Sequence, residues 1–189
     1  TALPISDLVC FSGDKLIGGP QAGIIVGKKA VIDPIKKNPI TRALRIDKLT
    51  LMALEETLRL YRDERAALRE IPTLRMISQP YTSLVKKAGR LLKRVGKLKT
   101  PNFTLELVDG SSRPGGGALP LSELPSRLLC LVPGKLSCLF MEAWLRSYDP
   151  PIIGRIETDT LLLDVRTVQD KELKIIADAI RKLAQINME

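Results

Sequence analysis

A bend of Gly18, Gly19 and Pro20 separates two short apolar runs, and it restricts the first part of this chain more than any other feature. Residues 7–12 (DLVCFS) read as a buried strand, and residues 22–28 (AGIIVGK) read as a second one, apolar in a continuous run. Glycine and proline together make a sharp, rigid turn between them. Lys15 stands where the first strand should end, so the bend fixes the place of an amine.

Three readings compete for Lys15. A phosphate-binding loop needs G-x-x-x-x-G-K followed by Ser or Thr. Here Gly27-Lys28 is followed by Lys29, and Ala22 stands where the first glycine belongs. The Ser-x-x-Lys pattern of penicillin-binding enzymes is met formally by Ser12 and Lys15, but it belongs in a helix. Gly13 inside the motif and the bend after it argue against a helix, and no K-T-G triplet occurs. The third reading is a Schiff-base lysine. Such a lysine must be partly neutral, which burial against apolar strands promotes, and it must be held still. Glycines at 13, 18 and 19 let backbone approach a flat cofactor, and Ser12 could donate to the cofactor's phosphate. An ordinary salt-bridged loop lysine is the plain alternative. Asp14 either orients Lys15 or caps the turn.

The remaining chemistry is narrowed by what is scarce. There is no histidine, and the three cysteines, Cys10, Cys130 and Cys138, form no CxxC pair. That argues against a zinc site and against Ser-His or Cys-His catalysis. The apolar settings of the cysteines suggest buried thiols in a reducing compartment, and no apolar run is long enough to span a membrane. Aromatic residues make up 4% of the chain, so the core must be aliphatic. The formal net charge of +9 suggests an anionic partner such as nucleic acid.

Further along, residues 29–37 read as helical, with Pro34 suited only to a first turn. Residues 41–70 read as one long helix, from the recurrence of Leu44, Leu51, Leu54, Leu58 and Tyr61. Residues 81–95 read as a second helix, with Leu84, Val85, Ala88, Leu91, Leu92 and Val95 inward and Lys86, Lys87, Arg90, Lys93, Arg94 and Lys97 outward. That basic face is either simply solvated or a tRNA contact. Strands follow at 103–109 and 126–133, with a loop at 111–120 between them. A helix at 135–148 should bury Leu136, Leu139, Phe140 and Trp144. Residues 150–168 read as a hairpin turning near 157–160, and 170–186 as a closing helix with Asp170 as N-cap.

The segment DLVCFSGDKLIGGPQAGIIVGKK resembles the lysine segment of the bacterial selenocysteine synthase family, the L-seryl-tRNA(Sec) selenium transferases. KKNPITRALRIDKLTLMALEETL, IPTLRMIS, SRPGGGALP, DPPIIGRIE and LLLDVRTV continue the likeness in family order. The resemblance implies a fold-type-I pyridoxal-phosphate architecture, of mixed α/β and α+β class. Residues 1–43 would be the end of the cofactor-binding large domain, 44–70 a long connecting helix, and 71–189 a small α+β domain with a mainly antiparallel sheet. It implies pyridoxal 5'-phosphate as cofactor, held covalently by Lys15 with Ser12 nearby. The implied reaction converts seryl-tRNA(Sec) to selenocysteinyl-tRNA(Sec) through a dehydroalanyl intermediate, with selenophosphate as donor.

Arg42 and Arg45 align with arginines that the family uses near this phosphate-like donor. Three residues apart at a helix start, they would share one face, and guanidinium forks suit phosphate oxygens. Arg113 is a further candidate for an anion. The family's upstream half would complete the cofactor site, so the chain is expected to be inactive alone. The resemblance also implies a cytoplasmic homo-oligomer, a ring of dimers. Two other classes remain open: a pyridoxal-phosphate lyase acting on a small phosphorylated amino compound, or a non-catalytic assembly or tRNA-contact module.

Overall fold

The computed structural model describes residues 5–115 and 122–187. The chain divides into two compact units, the first running through Ser78 and the second beginning at Gln79.

In the first unit, β1 (Leu8–Ser12) and β2 (Gly23–Gly27) form a two-stranded antiparallel hairpin, with Ser12 opposite Gly23 and Leu8 opposite Gly27. Five short helices follow: α1 (Lys29–Lys37), α2 (Pro39–Leu44), α3 (Lys48–Leu60), α4 (Glu64–Glu70) and α5 (Pro72–Ile77). The strands are where expected but not buried. Phe11 and Ile25 are exposed, and so is Cys10, because a two-stranded sheet has too little cover to bury both faces.

The long helix expected over 41–70 falls across three helices, and the connecting helix expected over 44–70 is essentially two, α3 and α4. Asp47 accepts hydrogen bonds from the amides of Leu49 and Thr50, and Asp63 accepts from those of Arg65 and Ala66. Each carboxylate caps a new helix, so the apolar recurrence continues while the helix axis restarts. Asn38 caps α2 in the same way through the Ile40 amide, with Pro39 as its first residue. Pro34, suited by sequence to a first turn, lies inside α1.

Among the described residues the second unit is a four-stranded antiparallel sheet in the order β3-β4-β6-β5, with three α-helices. Its elements are α6 (Tyr81–Val95), β3 (Phe103–Ser112), β4 (Leu124–Pro133), α7 (Cys138–Arg146), β5 (Arg155–Glu157), β6 (Thr160–Asp164) and α8 (Leu173–Ala184). Leu84, Leu91, Leu129, Leu131, Leu161 and Ile180 are completely buried in one aliphatic core. Leu128, Cys130 and Leu162 form a second, smaller cluster. The β5–β6 turn at Thr158 and Asp159 has positive φ at both residues, which suits a tight hairpin.

Two details depart from the periodicity. Ser137 caps α7 through the Phe140 amide, and in the resulting phase Met141 and Leu145 point inward while Leu139 is 75% exposed. Phe140 and Trp144 are only partly buried against the core. Before α8, the Gln169 amide donates to Glu172 at 2.7 Å, while Asp170 pairs with Arg90 instead of capping. Among the described residues no helix is long and apolar enough to cross a membrane.

Candidate functional site

Lys15 lies in the turn that joins β1 to β2, beyond the strand end and exposed. Burial by apolar strands, the expected means of tuning its amine, is not provided by the described residues. What the fold does provide is a fixed backbone. The Gly13 amide donates to the Ala22 carbonyl at 2.8 Å, the Gly19 amide to Gly13 at 2.8 Å, and the Gly18 amide to Lys15 itself at 2.9 Å.

Side chains from distant sequence close around the turn. The Tyr61 hydroxyl, just past α3, donates to the Ile17 carbonyl at 2.9 Å. Leu54 of α3 sits against Gly13 and Gly19. Gly18 has φ +71°, and a Cβ there would stand 2.5 Å from a methyl carbon of Ile71. A Cβ on Gly13 would stand 2.8 Å from the Pro20 carbonyl oxygen. Both positions therefore require glycine, one for its backbone conformation and both for space. Desolvation raises the Tyr61 phenol above its usual pKa.

The Ser12 hydroxyl donates to the Asp14 carboxylate. That bond is the main reason the Asp14 pKa lies below the usual carboxylate value, followed by its own backbone amide, with the Lys15 charge a smaller contribution. For a covalently held aldehyde cofactor, the Lys15 amine fits: it is accessible and carried on a braced turn. Ser12 fits a cofactor phosphate less well in this arrangement, because its proton is directed at a carboxylate that would repel a phosphate.

Arg42 and Arg45 are both exposed, and neither makes an ion pair or side-chain hydrogen bond among the described residues. The expectation that they open a helix on a common face is corrected. Arg42 lies in the last turn of α2, and Arg45 is its C-cap with extended backbone at φ −66° and ψ 140°. Cations at that end also complement the helix dipole. Arg113 lies in the second unit, where it pairs with Glu123. It shares an open cleft with Ser111, Arg155, Glu157 and Thr158, and Arg155 is itself paired with Glu157 at 2.7 Å. Both guanidinium charges in that cleft are already met by carboxylates. No cluster of side chains suited to a metal ion occurs among the described residues.

Sequence reasoning missed a buried polar network at the end of β6. Arg166 is 5% exposed and donates to the Ser112 hydroxyl at 2.9 Å and to the Pro125 carbonyl at 2.6 Å. Asp164 accepts from Ser112 at 2.5 Å, from Ser126 at 2.7 Å and from the Arg166 amide at 3.0 Å. Burial lowers the Arg166 pKa and the Asp164 charge opposes that shift. Lys87, expected on the outer basic face of α6, is instead buried, because Gln79 and the Val168 carbonyl accept from its amine at 2.8 Å and 2.9 Å. The available signal was a carboxylate and a guanidinium two residues apart at the end of LLLDVRTV, since charges adjoining an apolar strand need partners.

Comparison with known proteins supplies the context for this geometry. The family model of L-seryl-tRNA selenium transferase matches residues 4–169. The chain is 51% identical over 178 residues to the L-seryl-tRNA(Sec) selenium transferase of Geobacter metallireducens, covering 94% of the chain and 38% of that protein. To the protein of the same name from Maridesulfovibrio salexigens it is 48% identical over 180 residues, covering 95% of the chain and 39% of that protein. The chain thus spans well under half the length of these curated relatives. Among solved structures, D-glucosaminate-6-phosphate ammonia-lyase is similar with a TM-score of 0.58 at 21% identity, over 95% of this chain and 44% of the other. That likeness is one of fold.

Proposed function

The chain belongs to the L-seryl-tRNA selenium transferase family, and from that premise we propose that it takes part in the conversion of seryl-tRNA(Sec) to selenocysteinyl-tRNA(Sec). The observation that carries the proposal is the braced turn, which presents the Lys15 amine between two strands with Gly13, Gly18 and Tyr61 fixing the backbone. Lys15 would hold the cofactor pyridoxal 5'-phosphate through its Nζ, and its amine, when free, would carry the proton lost from the substrate's Cα. When bound, the cofactor supplies an electron sink for that proton loss. The serine β-hydroxyl would leave with a proton as water, giving a dehydroalanyl-tRNA; selenophosphate would add through selenium to the β-carbon, and hydrolysis of its Se–P bond would release phosphate.

Arg42 and Arg45 hold the donor's phosphate in this reading. Their support is chemical: they are exposed guanidiniums with no carboxylate partner among the described residues, unlike Arg113. An Arg42→Ala or Arg45→Ala change should then lower the use of selenophosphate at least about tenfold, since each charge-assisted hydrogen bond contributes roughly 1.5–3 kcal/mol. The enzyme is proposed to be a cytoplasmic homo-oligomer of dimers arranged in a ring. The apolar side chains of Ile40, Leu44 and Leu49, all exposed in this chain, support an assembly that covers them. The chain alone, at 38% of a relative's length, is proposed to convert no seryl-tRNA.

Borohydride reduction in the presence of pyridoxal phosphate, followed by peptide mapping, tests the lysine. The label is expected on Lys15. A label on Lys28, which is paired with Asp7 at 2.6 Å, or on Lys29 would sink the assignment. Conversion of seryl-tRNA is measured separately on a protein of the relatives' full length that carries this sequence.

A further inference from the structure

We propose that the outer face of α6, formed by Lys86, Arg90 and Lys93, is a docking surface for the phosphate backbone of RNA. The identity of that RNA as the tRNA substrate rests on the reading above; the face itself rests on the following observations. From Tyr81 to Lys99 the chain has seven lysines and arginines and no aspartate or glutamate. Against a net charge of +9 for the whole chain, that is where most of the excess resides.

Lys87 alone among these is buried, spent on internal acceptors. The buried residues Leu84, Ala88, Leu91 and Val95 fix the inward stripe of α6, which leaves Lys86, Arg90 and Lys93 on the opposite side. They recur at steps of four and three residues, about 6 and 4.5 Å along the axis. Like charges so placed repel one another and weaken a helix. Asp170 offsets Arg90, and Asp178 engages Arg181 of α8. Lys86, Lys93, Arg94, Lys97 and Lys99 make no ion pair among the described residues. A helix that accumulates unpaired charge of one sign is suited to a polyanion.

Two further features favour a nucleic acid backbone over an anionic membrane. Gly89 is exposed in mid-helix with open space where a side chain would stand, so a partner's backbone can approach between Lys86 and Lys93. A membrane-bound amphipathic helix inserts its apolar face into lipid. Here that face is already occupied by the protein's own core.

The test is fluorescence anisotropy of the 189-residue chain with a labelled tRNA transcript, read across 50 to 200 mM salt. Lys86→Gln combined with Lys93→Gln should reduce the slope of log K against log salt by about 1.4–1.8, so that binding loses roughly 7- to 12-fold less over that range. Lys86→Arg with Lys93→Arg should keep the parent slope. The Gln pair should melt at the same temperature as the parent or higher, because repulsion is relieved. Lys36→Gln with Lys37→Gln on α1 removes the same net charge elsewhere. An equal effect there would mean that overall charge, not this face, governs binding, and would overturn the proposal. Tighter binding to phosphatidylserine vesicles than to tRNA would overturn it too. If tRNA binds through α6 but seryl-tRNA is never converted by the full-length protein, the proposed reaction fails and the face stands. Conversion with tRNA affinity unchanged in the Gln pair sinks the face alone.

Discussion

Leu129, Leu131 and Ile180 in the second unit are wholly buried, whereas Ile40, Leu44 and Leu49 in the first are 64%, 76% and 79% exposed. Both sets are aliphatic and both lie in or beside well-formed elements. The second unit closes its core within its own sheet and helices. The first forms its elements chiefly by local chemistry: Asn38, Asp47 and Asp63 cap successive helices, and a web of backbone bonds holds the lysine turn. Apolar pattern therefore means different things in the two units. In one it describes packing that exists inside the chain, and in the other it describes surface open to an additional partner.

The comparison breaks most readily under core truncation. Ile180→Ala should cost about 2–5 kcal/mol, and Leu49→Ala should stay within about 0.5 kcal/mol, both by urea unfolding of the chain. Equal losses would mean that Leu49 is buried in solution. Next in size is Gly18→Ala, which adds a Cβ in a left-handed conformation against Ile71. It should cost about 1–3 kcal/mol and slow pyridoxal-phosphate labelling of Lys15. Gly23→Ala, with nothing within 4 Å of the added carbon, serves as the control. An undisturbed labelling rate in Gly18→Ala would show that the turn does not position the amine.

Tyr61→Phe is subtler. Loss of one hydrogen bond to Ile17 should cost about 0.5–1.5 kcal/mol and should speed hydrogen exchange at the Gly18 and Gly19 amides more than at α8 amides. Uniform acceleration in both units would argue against a local brace. The smallest effect is on acid behaviour. Asp47 has its pKa lowered, first by the Thr50 hydroxyl and then by the Thr50 amide, and Asp14 is lowered mainly by Ser12. A depressed folded pKa gives stability that is present above the unfolded value, about 3.9 for aspartate, and is lost as pH falls through the folded one. Acidification below about pH 4 should thus loosen the first unit's caps while the aliphatic core of the second persists. Loss of α6 and α8 signals before those of α3, by residue-resolved NMR, would contradict this.

How much the sequence revealed follows the same division. α6 was legible in outline because Leu84, Ala88, Leu91 and Val95 recur at helical spacing and are buried, but Val85, expected inward, is exposed and Lys87, expected outward, is buried. The break-up of 41–70 was not, because Asp47 and Asp63 interrupt the helix without interrupting the apolar recurrence. α5 was missed although Pro72 at its first position is an ordinary start signal. In α7 the phase depended on the Ser137 cap, so Leu139 was assigned to the core from which it points away. The bend singled out Lys15 but left several readings of it open, and its exposure was not foreseen. The Tyr61 brace joins residues 44 apart in sequence, and no local pattern announces it.

The Arg166 network also bears on how the protein can vary. Arg166 and Asp164 grip Ser112 at the end of β3 and Pro125 and Ser126 at the start of β4, and Arg113 pairs with Glu123 just beyond. The two ends of the intervening connection are thus fastened to the sheet independently of what joins them. Once such ends are pinned, doubling the length of a connection costs only about 0.6 kcal/mol. A change in the length of that connection should therefore leave the sheet intact, which makes it a position where a reporter peptide can be introduced.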